Sequence, residues 1–139
     1  MKVMGLDPGS KRVGVALSDD LGITASGLTT LTWNKREGLL AEIHQLVTKY
    51  KVEKIVVGLP RRMDGSLGPE AEAALSLVGA LKACEGLEVL TWDERFSTVA
   101  AERVLIEADL SRKKRKKVRD KVAAAYILQG YLDSLNVSS

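Results

Sequence analysis

The stretch from Lys54 to Leu59 reads Lys-Ile-Val-Val-Gly-Leu, a short continuous apolar run with no polar alternation. It is too short for an independent helix and too apolar for a strand with one wet face, so it belongs in a sheet covered on both sides. Parallel strands are covered in that way because helices carry the chain from one to the next. The flanking sequence supplies the helices. Between Glu37 and Tyr50 the residues Leu39, Leu40, Ile43, Leu46, Val47 and Tyr50 recur on one helical face. From about Glu70 to Ala83, Ala74, Leu75, Val78 and Leu81 do the same. A further strand is expected at Leu87 to Trp92, then helices at Ser97 to Ala108 and about Val118 to Leu135.

Ahead of the Glu37 helix the period is two. Lys2 to Asp7 reads as a buried strand closed by Pro8-Gly9-Ser10, and Arg12 to Ser18 as a second with Val13, Val15 and Leu17 on one face. The Asp19-Asp20-Leu21-Gly22 turn leads to a third, Ile23 to Trp33. Turns this tight imply antiparallel pairing. The element order βββαβαβαα predicts an α/β fold, a mixed five-stranded sheet of order 3-2-1-4-5 with strand 2 antiparallel, flanked by helices. A chain of 139 residues, 45% of them hydrophobic, reads as one domain, 1–139, able to bury a real core.

Composition narrows the chemistry. No apolar run approaches the roughly 18 residues that span a bilayer, and the chain starts at once on a strand with no visible signal peptide. The single Cys84 excludes internal disulfides and suits a reducing cytoplasm, and the single His44 excludes sites needing several imidazoles. Of the net charge of +3, Arg112 to Lys117 alone carries six positive charges, so the rest of the chain carries −3. This run reads as a basic loop, either a solvated surface or a handle for phosphates.

Three acids stand where chemistry is expected. Val3, Gly5 and Asp7 share one face of the first strand, which puts Asp7 at the carboxyl end of the central strand, the end where open α/β sheets bind ligands. Asp followed by Pro-Gly also opens ordinary turns. Asp93 and Glu94 end the fifth strand pointing opposite ways, so one of them faces the site. Glu94 is the choice, since it reaches farther and Gly58 on the intervening strand leaves room, with Asp93 in reserve. An acid there also suits the start of the next helix. Asp120 projects from a helix face of Ala123, Ala124 and Ile127, and an acid on so apolar a face is costly unless answered by positive charge. A helix cap, or an ion pair with Arg119 or Lys121, is the competing account.

Three carboxylates without a usable histidine suit a hard divalent cation, Mg²⁺ or Mn²⁺. The matching chemistry is phosphodiester hydrolysis. Lys11, Arg12, Arg61, Arg62 and Arg95 lie beside the same strand ends as candidate phosphate contacts, with Lys113 and Lys114 in the basic run. Aromatics are 4% of the chain. Trp33, Trp92 and Tyr126 read as core residues, which favours recognition of backbone and shape over base stacking.

The segment Met4-Gly5-Leu6-Asp7-Pro8-Gly9-Ser10-Lys11-Arg12-Val13-Gly14-Val15 resembles the opening of the YqgF (RuvX) family. Val57-Gly58-Leu59-Pro60 with Met63-Asp64-Gly65, Asp93-Glu94-Arg95-Phe96-Ser97-Thr98, and Asp120-Lys121-Val122-Ala123-Ala124 resemble its later motifs in the same order. The resemblance implies a ribonuclease-H-like fold related to RuvC Holliday-junction resolvases, and metal-dependent nuclease activity. The roles it implies are trimming the 5′ end of precursor 16S ribosomal RNA and resolving branched DNA. It carries catalytic roles onto Asp7, the Asp93-Glu94 pair and Asp120. Ala100 departs from the family's usual acid, and Ala123 and Ala124 stand where RuvC-type sites carry a further acid one turn after Asp120. A monomer suffices for strand trimming, whereas symmetric junction resolution needs a homodimer. Two rivals stay open: an actin-like ATP-binding phosphotransferase fragment, suggested by Asp-Pro-Gly-Ser-Lys-Arg, and a non-catalytic RNA-binding assembly factor.

Overall fold

A computed structural model describes residues 1–62, 64–84, 86–94 and 112–137, with the backbone course alone over 112–117 and 136–137. The strands are β1 (Lys2–Pro8), β2 (Arg12–Ser18), β3 (Ala25–Thr32), β4 (Val52–Leu59) and β5 (Glu88–Asp93). The helices are α1 (Arg36–Tyr50), α2 (Pro69–Lys82) and α3 (Arg112–Val137). The sheet order is β3-β2-β1-β4-β5, with β2 antiparallel to both neighbours and β1, β4 and β5 parallel. Periodicity gives the α/β class, and the order 3-2-1-4-5 inferred from the connections is the one found. The helix expected at Ser97 to Ala108 lies outside the described residues.

The two faces of the sheet have separate cores. Met4, Leu6, Val13, Val15, Ile55 and Val57 point to one side and meet Leu39 and Ile43 of α1 and Ala74, Leu77, Val78 and Leu81 of α2. Val3, Ala16 and Val56 point to the other and meet Ala123, Ala124, Ile127, Leu128 and Leu132 of α3. The continuous apolar character of β4 follows, since every second residue serves a different helix layer. Pro69 opens α2, where its missing N–H costs nothing.

Two polar clamps fix α3 along the sheet. Gln129 accepts from the Ala25 N–H at 2.9 Å and donates to the Ile23 carbonyl at 2.9 Å, which ties the helix to the start of β3. Lys54 on β4 donates to the Tyr131 hydroxyl at 3.0 Å and lies 3.6 Å from Glu88. That hydrogen bond, more than the nearby charge, lifts the Lys54 ammonium above its ordinary value, although burial pulls the other way. In the β2–β3 turn, the Ile23 and Thr24 N–H groups donate to Asp19 and hold its carboxyl below the usual range.

One expectation fails. The Arg112–Lys117 run is not a loop; it forms the first turns of α3. Charge density suggests a solvated loop, but Arg and Lys are strong helix formers, and no Gly or Pro interrupts the chain from residue 112 to 129. Among the described residues, no helix is long and apolar enough to cross a membrane.

Candidate functional site

Asp7 is the centre from which the site is built. It is 8% exposed, near the carboxyl end of the middle strand. On β2 its partner is Gly14. On β4 the pairing of Leu6 with Val57 brings Asp7, one step farther, beside Gly58. Paired residues point to the same side of a sheet, so both neighbours of the Asp7 side chain are glycines on the α3 face.

Those glycines admit the other two acids. A methyl group on Gly14 would collide with the Asp120 carbonyl oxygen, so the backbone of α3 lies directly on β2 at this point. A methyl group on Gly58 would stand 2.5 Å from Ile127 Cδ1 and 3.1 Å from Glu94 Oε1. Glu94 therefore folds back over β4 toward the Asp7 side. Asp93 takes the opposite course: it pairs with Leu59, a residue of the α1–α2 core, and its Oδ2 lies 3.4 Å from Arg61 Nε. Strand alternation is what separates the two adjacent acids.

Asp120 is answered by a cation, as its apolar face requires, but the partner comes from far along the chain. Arg12 Nε donates to Asp120 Oδ2 at 2.6 Å, with the two side chains 29% and 15% exposed. The cation is thus on β2, not at the adjoining positions 119 and 121. Sequence reasoning places Arg12 on a phosphate-binding rim and leaves it out of the acid cluster that it joins.

Asp7, Asp120 and Glu94 are hard oxygen donors, and their chemistry fits a divalent cation. As they stand, no group of three or more His, Cys, Asp or Glu side chains among the described residues is gathered closely enough to hold a metal ion. The Arg12 guanidinium engages Oδ2 of the Asp120 carboxylate, which leaves Oδ1 as the oxygen this residue would offer a cation.

The expected phosphate contacts divide. Lys11 is exposed beside the site, and its carbonyl accepts from the Trp33 N–H at 2.9 Å. Arg61 is engaged by Asp93 and donates to the Gly65 carbonyl at 3.1 Å. Arg62 is exposed in the same tight loop, which is closed by hydrogen bonds between Arg62 and Ser66 and between Gly65 and Arg62. Arg95 lies outside the described residues. Lys113 and Lys114 ride on the first turns of α3, upstream of Asp120, where the backbone alone is described.

Residues 1–134 match the RuvX family, described as Holliday junction resolvase. The chain belongs to the RuvX family. A relative from Moorella thermoacetica is 58% identical over 135 residues, covering 97% of this chain and 96% of its own length. A second, from Bacillus cytotoxicus, is 54% identical over 136 residues, covering 96% and 99%. Both carry the name "Putative pre-16S rRNA nuclease". Among solved structures, T. thermophilus RuvC in complex with Holliday junction substrate is similar at a TM-score of 0.61 and 13% identity, over 98% of this chain and 96% of that one. Fowlpox virus resolvase with Holliday junction DNA is similar at 0.60 and 13%, over 97% and 99%. With the sheet order, these likenesses make the RuvX chain's fold that of the ribonuclease-H-like resolvases.

Proposed function

We propose that this RuvX chain is a nuclease that hydrolyses phosphodiester bonds at the 5′ end of precursor 16S ribosomal RNA, with Asp7, Glu94 and Asp120 as its working carboxylates. The observation that carries the reading is the pair of glycines flanking Asp7, which open the sheet surface for an acid on either side. The near full-length relatives support the choice of RNA. Mg²⁺ or Mn²⁺ would be held by the three carboxylates, and when bound would offset phosphate charge and acidify a water molecule. Asp7, held between two hydrogen-bonded strands, gives the reacting centre a rigid anchor. Arg12 holds the Asp120 carboxylate in place by a charge-assisted hydrogen bond, and the rest of its guanidinium would meet a phosphate oxygen beside it. Arg62, Lys11 and, on α3, Lys113 and Lys114 would contact the RNA backbone, as would Arg95.

The test is cleavage of a precursor ribosomal RNA end, a four-way DNA junction and duplex DNA, each with magnesium, manganese or chelator. Metal-dependent trimming of the RNA end is expected, collapsing in Asp7→Asn and Asp120→Asn while the proteins stay folded. Unchanged cutting in both variants removes this site. Preferential cutting of the junction would move the substrate to branched DNA, and ATP hydrolysis without cutting would restore the phosphotransferase reading.

A further inference from the structure

On the sheet face opposite the carboxylates lies a cavity of about 460 Å³. Its floor is apolar, formed by Val13, Leu39 and Leu77. Trp33 forms one wall, and the loop Pro8-Gly9-Ser10 forms the edge nearest Asp7. Trp33, a core residue by its sequence setting, is instead half-buried, packed against the α1–α2 core and lining the cavity. Two contacts hold it in place. Its indole N–H donates to the Gly9 carbonyl at 3.2 Å, and its backbone N–H donates to the Lys11 carbonyl at 2.9 Å. The aromatic wall is thereby tied to the loop that begins one residue after Asp7.

We propose that this cavity receives a single unpaired nucleobase of the substrate strand, next to the phosphate presented at Asp7. The proposal rests on the nuclease reading and adds a base subsite to it. Four properties point to a base. The volume falls in the range of small-ligand pockets, roughly 300–1,000 Å³, and is far short of a duplex. An aromatic ring above an apolar floor is what an unstacked base meets in single-strand recognition. Arg36 and Glu70, also at the wall, supply a donor and an acceptor for a base edge, and Arg36 is fixed across α1 and α2 by donating to Ser76 Oγ at 2.6 Å. Finally, Pro8 lines the cavity while its chain neighbour Asp7 faces the other side of the sheet, so a strand crossing this rim presents a phosphate to one face and a base to the other. Stacking makes the site tolerant of base identity.

The first arm uses the full-length protein with adenosine monophosphate and with ribose 5-phosphate, followed by NMR. Saturable shifts at the Trp33 indole, Ala73 and Leu77 are expected with the nucleotide and not with the sugar phosphate. The second arm measures binding of single-stranded RNA carrying one abasic residue, stepped along the strand, to the Asp7→Asn protein, which does not consume its ligand. An abasic residue at one or two positions beside the cleaved bond should weaken binding about fivefold or more, as expected for one lost stacking contact. In Ala73→Leu, which fills the cavity from the exposed side of α2 with a good helix former, intact RNA should bind as weakly as the abasic strand. Trp33→Ala should behave alike. Equal abasic effects all along the RNA, or an unchanged positional profile in Ala73→Leu, would overturn the subsite. Loss of the nuclease reading looks different: no cleavage by the wild-type chain, with the nucleotide-dependent shifts intact.

Discussion

The two faces of one sheet are packed by opposite means. Toward α1 and α2, large side chains fill the space: Met4, Leu6, Ile43, Ile55 and Leu81 are all fully buried or nearly so. Toward α3, side chains are removed so that backbone can meet backbone. Gly27, Gly14, Gly5 and Gly58 sit on four adjacent strands, and a methyl group on any of them would crowd α3 or its side chains. The first face has a cavity at its rim; the second brings the backbone of α3 onto the strands, and Asp7 and Glu94 face it. A face packed by bulk can be repacked, whereas at Gly14 and Gly27 the neighbour is the helix backbone itself, which cannot change rotamer to give way.

Four substitutions or conditions probe that contrast. Gly14→Ala should do most damage, about 3 kcal/mol, because the obstruction is the Asp120 carbonyl and not a mobile side chain. Urea unfolding measures it, and a loss below about 1 kcal/mol would mean that α3 can lift off the sheet. Arg12→Gln comes next, at about 1–2 kcal/mol, the cost of leaving a mostly buried carboxylate without its charged partner. Adding Asp120→Asn should recover much of that loss, and strict additivity in the double-mutant cycle would show the pair to be uncoupled. Gly79→Ala, on α2 with nothing within 4 Å of the added methyl, should instead stabilise by about 0.5–1 kcal/mol. A destabilised Gly79→Ala would mean that space around a glycine does not decide what an added methyl costs here.

The smallest effect is a pH dependence at the far end of α3. Lys54 is raised above its ordinary 10.5, first by its hydrogen bond to Tyr131. A raised folded-state value means that the contribution is fully present below 10.5 and is lost as pH climbs through the raised value. Melting temperatures of wild type and Lys54→Met should therefore keep a constant gap up to that point and converge above it. A gap that stays constant through strongly alkaline pH would leave packing, not charge, as the role of Lys54.

The sheet order is readable in the sequence because period-two and helical segments follow one another with short connections, leaving few ways to join them. That Asp93 and Glu94 part to opposite sides of the sheet is readable too, from strand alternation, and Glu94 lies over the space at Gly58. The start of α3 is not, because a run of charge carries no periodicity and only the helix preference of Arg and Lys points the other way. The Arg12–Asp120 pair is equally hidden, since nothing local links positions on β2 and α3. A signal for the close approach does exist: isolated glycines at Gly5 and Gly14 in the middle of strands mark places where another backbone comes near. The core reading of Trp33 holds in part, since it packs against the α1–α2 core, but its hydrogen bond to Gly9 could not be foreseen from its own neighbours in the chain.

The Arg12–Asp120 contact joins residues 108 positions apart. On a ribosome adding roughly 5–20 residues per second, Arg12 emerges about 5–20 s before its partner is made. Until then the nascent chain has Asp7 but no helix to lay across Gly14. A chain stopped before that helix is made leaves the glycine-lined face of the sheet uncovered. The fastening of β2 to α3 therefore waits for the helix to be made, however early β1 and β2 have paired.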